Sequence, residues 1–87
     1  MRTYKLIVSS PDGNVFEGEV INTFLRGANG DLAIMAGHIP FVTSVKKCEC
    51  KVEFADETVR TAEVDGGILS VSTDSVTLLS GSFKWKE

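Results

Sequence analysis

Three side chains in this 87-residue sequence are of types that often perform chemistry: the single histidine, His38, and the two cysteines, Cys48 and Cys50. A Ser/His/Asp triad needs a nucleophile beside the histidine, but the sequence has no Gly-x-Ser-x-Gly turn leading into a helix. Structural zinc takes about four ligands, and roughly two to four residues commonly separate its paired cysteines. The sequence therefore predicts no catalytic residue and no metal site.

Phosphate binding and nucleic-acid binding are also disfavoured. Gly27, Gly30 and Gly37 do not form a Gly-x-Gly-x-x-Gly loop, and no helix follows them to offer its N-terminus to an anion. Nine Lys and Arg against twelve Asp and Glu give a net charge of −3, without a basic stripe that could neutralise phosphates. We therefore expect no cofactor, no small-molecule substrate and no nucleic acid as a partner.

The elements that position these residues have the two-residue period of β-strands. Cys48, Cys50, Val52 and Phe54 alternate with charged residues, which is typical of a strand with one face in the core and the other in water. The alternation predicts that both cysteines are small residues on the core side. The run from Tyr4 to Val8 alternates in the same way.

Turn signals recur about every 8–12 residues, the spacing of a β-sandwich or barrel. They include Ser10-Pro11-Asp12-Gly13, Asn29-Gly30 and Gly66-Gly67, and Gly18 indicates a bulge or a close approach. No window has helical spacing, and Ile68–Leu79 is expected to form a hairpin of buried aliphatics. We predict a single all-β domain over residues 1–87, an antiparallel β-sandwich or flattened barrel of about eight to ten short strands.

Membrane insertion is not expected, because the apolar runs are too short to span a bilayer and the start lacks a signal peptide. We expect a cytosolic protein, or one attached to a membrane only through its partners.

Two segments are more specific than the rest. In the first, Asp31 follows a glycine and precedes Leu32-Ala33-Ile34, and the segment ends in Gly37-His38-Ile39-Pro40. In the second, Gly66-Gly67 leads to Val71 and then to the run Val76–Leu79. The ordered set resembles the epsilon-subunit family of F-type rotary ATP synthases, called delta in mitochondria. The resemblance covers nearly the whole chain.

The resemblance implies a β-sandwich at the foot of the central stalk, without an active site. Such a domain binds the gamma subunit on one side and the c-ring on another, and it couples ion-driven rotation to ATP synthesis. The location implied is peripheral, at the cytoplasmic face of a bacterial membrane, with membrane contact only through the c-ring. Family members usually continue into a C-terminal pair of helices, which carries inhibitory and nucleotide-sensing roles. We expect that pair to be absent here, and we therefore assign neither role.

The resemblance also implies interface residues. Asp31, Gly37, His38 and Ile39 match the c-ring surface, and Ser10, His38, Phe41, Val42 and Thr43 match the gamma-subunit surface. From the residues alone, Asp31 could instead cap its own turn and His38 could simply be solvated. Adjacent strand residues point to opposite faces, so one of Phe41 and Val42 must face outward. Trp85 either closes the core or faces a partner.

A generic β-sandwich module for a ligand or carbohydrate is the alternative function. It would present aromatic side chains on an exposed concave face, whereas most of the seven aromatic residues here stand at core positions of the alternation.

Replacing the histidine tests the interface interpretation. We expect His38→Ala to leave the fold intact and to weaken co-elution with a gamma subunit and c-ring, because a loop side chain at a junction contributes contacts and little packing. Circular dichroism and co-elution measure the two effects. An unfolded variant would show that His38 is structural.

Overall fold

The structure, a computed structural model, describes residues 2–27, 30–37 and 39–86. The regular structure in these residues is entirely β-strand. The strands are β1 (Tyr4–Ser10), β2 (Gly13–Gly27), β3 (Gly30–Met35), β4 (Phe41–Phe54), β5 (Val59–Val71), β6 (Ser75–Leu79) and β7 (Phe83–Trp85).

Five of the strands close into a barrel in the order β1-β6-β5-β4-β2, because β1 also pairs with β2. Strand β3 adds to the outer edge of β2, and the short β7 pairs with β5. The pairings are antiparallel except for β1 with β6, which are parallel. Closure lets the barrel strands pair on both sides, which removes exposed edges from the ring.

The all-β prediction is confirmed, but the strands are fewer and longer than expected. The described residues contain seven strands, and β2, β4 and β5 have 15, 14 and 13 residues. The sequence pattern predicted a turn at Gly66-Gly67, inside β5, and a bulge or close approach at Gly18, inside β2. Each of the three segments is in fact one continuous strand that passes through an irregularity.

Each long strand changes its inward-facing phase part-way along. In β2, Val20 is buried, and the next residue, Ile21, is buried too. The register with β4 shifts between Val20 and Asn22, so Thr23 and Leu25 are the inward residues beyond that point. An extra residue in one strand of a pair bends that strand and reverses which side chains face the core.

Strand β5 changes phase at Gly66 and Gly67. Val64 is buried before the pair and Leu69 after it, an interval of five residues that strict alternation would not allow. Both glycines have positive φ, 80° and 148°. At Gly67 an added Cβ would lie only 2.0 Å from the Leu79 carbonyl oxygen, so this bend requires a residue without a side chain. The predicted corner is thus a bend inside one strand.

Gly18 is a close-approach point and not a bulge. It pairs regularly with Leu6, and the β1–β2 irregularity lies between Val8 and Ser9. The Phe16 ring covers Gly18, with its Cζ 2.9 Å from where a Cβ would stand. Of the two interpretations offered by the sequence, a bulge or a close approach, the close approach is therefore correct.

The core confirms the predicted alternation in β1, where Tyr4, Leu6 and Val8 are buried. In β4, Cys50 is fully buried, whereas Cys48 is only partly buried and packs against the core. Both thiols are free.

Trp85 closes one end of this core. Its ring makes edge contacts with Phe16 and Phe83 at centroid distances of 5.4 and 5.0 Å, and the Arg60 guanidinium lies 4.1 Å from its centroid. These contacts agree with the interpretation that Trp85 closes the core.

Gly67→Ala should destabilise the fold by on the order of 3 kcal/mol, because the new methyl group meets backbone and the φ is unfavourable. Gly81→Ala is the matched control, since nothing lies within 4 Å of its added Cβ. Urea unfolding followed by Trp85 fluorescence measures both. Equal stability of the two variants would contradict the proposed bend.

Candidate protein-interaction surfaces

A buried hydroxyl group fixes β3 to the barrel. The Tyr4 hydroxyl donates a hydrogen bond to the Ile34 carbonyl oxygen at 2.9 Å and lies 2.6 Å from Thr23 Oγ1. It therefore connects β1, β2 and β3 inside the core. Burial raises the pKa of Tyr4 to about 12, with the Thr23 hydrogen bond acting in the opposite direction. Burial likewise raises the pKa of the Cys50 thiol to about 12.

The residues matched to the c-ring surface lie at the two ends of β3. Asp31 is at its start, where Asp31 Oδ1 accepts a hydrogen bond from Arg26 Nε at 3.2 Å across the hairpin. Both side chains are largely exposed, so the pair contributes little stability. The Asp31 carboxylate thus pairs with a residue of the neighbouring strand. The central turn residues Ala28 and Asn29 lie outside the described residues.

At the other end, Gly37 turns the chain with a φ of 83°, and an added Cβ would lie 3.0 Å from Arg2 Nη1. Ile39 follows and is 79% exposed. Asp31 and Met35 are separated by roughly 13 Å along the extended strand. His38, predicted for both surfaces, lies outside the described residues.

The residues matched to the gamma-subunit surface divide between core and surface. Val42 faces outward, whereas Phe41 is partly buried and packs against the core, in keeping with the expectation that one of the two is exposed. Thr43 pairs with the buried Leu69 and is only partly exposed. The Ser10 hydroxyl belongs to the β1–β2 turn, where it accepts from the Asp12 amide and donates to the Gly13 carbonyl oxygen, each at 3.3 Å.

Two further residues, which the sequence analysis placed in the core, join Val42 on the outside of the barrel. Ile68 and Leu79 are directly paired across β5 and β6 and are 47% and 51% exposed, while Val42 is 68% exposed. The prediction that all aliphatics of Ile68–Leu79 are buried is therefore wrong for these two. The adjacency of Leu78 and Leu79 was the available signal, because both cannot face the same side of a strand.

These side chains define what we call the uncharged face. Outward positions next to them on β4, β5 and β6 carry hydroxyl groups and no charge. Its members are Val42, Ser44, Ile68, Ser70, Thr77 and Leu79. Large exposed aliphatics grouped on one face of a small domain indicate a protein-binding surface.

A cleft of about 500 Å³ lies between the β2–β3 hairpin and the middle of β4. Its wall mixes Arg26, Lys47 and Lys51 with Asp31 and Glu49. Phe24, the most exposed aromatic side chain of the chain, stands there alone and offers no aromatic platform for a sugar. The cleft does not favour the alternative of a carbohydrate-binding module.

Within residues 2–27, 30–37 and 39–86, no three His, Cys, Asp or Glu side chains are grouped as they would be around a metal ion. The same residues include no helix long and apolar enough to cross a membrane.

This domain is similar in sequence to a known protein family. The sequence model of the family described as "ATP synthase, Delta/Epsilon chain, beta-sandwich domain" matches residues 3–86. The ATP synthase epsilon chain of Ruminococcus albus is 34% identical over 88 residues, which cover 100% of this chain and 65% of the relative. That of Bacillus velezensis is 36% identical over 80 residues, covering 92% of this chain and 60% of the relative. The chain thus spans about two thirds of these relatives.

Two solved structures share the fold. A chain in the structure of the Euglena gracilis mitochondrial ATP synthase (OSCP/F1/c-ring) superposes with a TM-score of 0.89 at 19% identity, covering 95% of this chain and 53% of the other. A chain from the central stalk/c-ring structure of the Tetrahymena thermophila enzyme gives a TM-score of 0.78 at 10% identity, covering 94% and 66%.

The buried Tyr4 and Cys50 predict a loss of stability at alkaline pH. Their ordinary pKa values are 10.0 and 9.0, and both are raised to about 12 in the folded state. Above pH 9 the unfolded chain therefore releases these protons first, and the free energy of unfolding falls as pH rises toward 12. Urea titrations at pH 8, 9, 10 and 11 measure this slope.

The control for this pH dependence is the double variant Tyr4→Phe/Cys50→Ala. It should be less stable at pH 8, because the Ile34 carbonyl oxygen and Thr23 lose a buried partner at a cost of about 1–3 kcal/mol. Its stability should nevertheless fall less steeply between pH 9 and 11. An unchanged slope would show that other groups cause the alkaline loss.

Proposed function

This chain belongs to the ATP synthase delta/epsilon chain family, and from that premise we propose that it is the β-sandwich of a central-stalk subunit. In this role it binds the gamma subunit and the c-ring of an F-type ATP synthase and couples ion-driven rotation to ATP synthesis. The subunit has no active site of its own. Its position is peripheral, at the cytoplasmic face of the membrane, with membrane contact through the c-ring alone.

The uncharged face is the observation that carries the gamma-subunit assignment. Val42, Ile68 and Leu79 expose aliphatic surface, and their paired neighbours supply hydroxyl groups in place of charges. Burial of such a face in a subunit contact releases water without leaving an unpaired charge behind. The matched residue Val42 lies on this face, and Thr43 is the next residue of β4. The β1–β2 turn that contains Ser10 follows the pair formed by Ser9 and Leu79.

The barrel architecture suits a part that transmits torque. Adjacent β-strands hold the uncharged face through pairing on both sides, and a close-packed core lies directly beneath it. Packed interiors have low compressibility and transmit strain with little deformation. A contact carried on this face therefore moves with the whole domain.

The c-ring assignment uses a different part of the surface. Asp31 lies on β3, the strand that adds to β2 outside the closed barrel, and Gly37 and Ile39 follow the end of that strand. An exposed acid such as Asp31 contributes mainly to orientation and to the association rate. His38, which matches both surfaces, stays a predicted contact.

Ile68→Asp tests the gamma-subunit contact. A buried charge without a partner should weaken binding to a gamma subunit of the same organism at least 10-fold, as expected for a residue near the centre of an interface. Val59→Asp is the control, because Val59 lies at the far end of the same strand and is 50% exposed. Titration calorimetry measures affinity, and thermal melting checks that both variants fold.

The proposed function predicts that the wild type and Val59→Asp bind alike. Equal loss in both variants would mean that added charge alone weakens the complex. No binding by the folded wild-type chain to either gamma or c-ring would overturn the proposed function.

A further inference from the structure

Strand β3 ends the sheet with one side unpaired. It pairs with β2 alone, and the backbone hydrogen bonds of the described residues include none from another element to residues 30–35. Resting on the proposed function, we propose that this free edge is a hydrogen-bonding surface, and that the c-ring contact is made through the main chain of β3 and not only through the Asp31 side chain.

The register shows which amide groups face the free edge. Gly27 and Gly30 pair across a two-residue loop, and such a closing pair exchanges hydrogen bonds. Hydrogen-bonded pairs then alternate along the hairpin, so the main-chain groups of Asp31, Ala33 and Met35 point away from β2. Phe24 and Asn22, the β2 residues opposite the last two, are matched on their other side with Lys51 and Glu53 of β4.

This edge lacks the features by which β-proteins keep edges from pairing. It has no proline, no lysine and no bulge over Gly30–Met35, and its single charge, Asp31, is held by Arg26 at one end. The side chains that stand beside the free amides are small or apolar, with Ala33 and Met35 exposed. An edge of this kind is a template for another backbone or for uncharged polar side chains.

The edge lies between the two parts of the proposed c-ring surface. Asp31 lies near its start, and Gly37 and Ile39 follow its end in the sequence, so the edge connects the two parts along the chain. The chemistry that fits is a loop presenting main-chain N–H and C=O groups or amide side chains in line with the strand. Its hydrogen bonds would be insensitive to salt, unlike a contact made by Asp31 alone.

Ala33→Pro tests the inference, because proline removes the edge-facing N–H and leaves the pairing with β2 intact. Ala33→Val is the matched control, since it adds bulk at the same position and keeps the N–H. Binding of the full chain to a purified c-ring in detergent, at 50 and 300 mM salt, is measured by biolayer interferometry. We expect Ala33→Pro to weaken binding roughly 5- to 10-fold more than Ala33→Val does, at both salt concentrations, because only the proline removes the N–H.

Each other outcome has one meaning. If the wild type binds the c-ring and Ala33→Pro binds equally well, the main-chain inference is wrong and the proposed function stands. If the two Ala33 variants weaken binding equally, added bulk and not the lost N–H is the cause, which also overturns the inference. If the wild type dimerises in sedimentation and Ala33→Pro does not, the edge pairs with a second copy instead. If the folded wild type does not bind the c-ring, the proposed function itself fails.

Discussion

Strand β5 reverses its inward face at Gly66 and Gly67, and the packing of the barrel depends on this reversal. Val64 fills one half of the core and Leu69 fills the other, although strict alternation would send one of them into water. The bend is possible because residue 67 is a glycine. The Leu79 carbonyl oxygen occupies the space that a side chain at this position would need. Strand β4 follows β5 in regular register, so the two strands change phase together.

The same reversal determines which aliphatic residues remain outside. Once Leu69 and Val71 face the core, Ile68 must face outward, and its partner Leu79 is carried outward with it. A face of exposed aliphatics and hydroxyl groups therefore follows from the geometry that completes the core. The bend supports the interior and the proposed gamma-subunit contact at once.

Strand β3 has a different status, because it stands outside the closed ring. The ladder with β2, the hydrogen bond from the Tyr4 hydroxyl to the Ile34 carbonyl oxygen, and the burial of the Ile34 side chain hold it. Buried polar groups that are fully paired specify a single arrangement of the elements around them. A rigidly held strand with one free edge is well suited to meet a moving partner, and the proposed c-ring contact uses it in this way.

Features that depend on neighbouring residues could be predicted from the sequence: the strand character, the buried side of β1 and of Cys50 and Val52, the turn at Ser10–Gly13, and the two segments that carry the family resemblance. Features that depend on pairing between distant strands could not. The fold joins the short runs of β4 and of β5 into single long strands, exposes Ile68 and Leu79, and leaves one edge of β3 open. Alternation says that neighbours face opposite ways, but which of the two faces is buried is set by the strands packed against it.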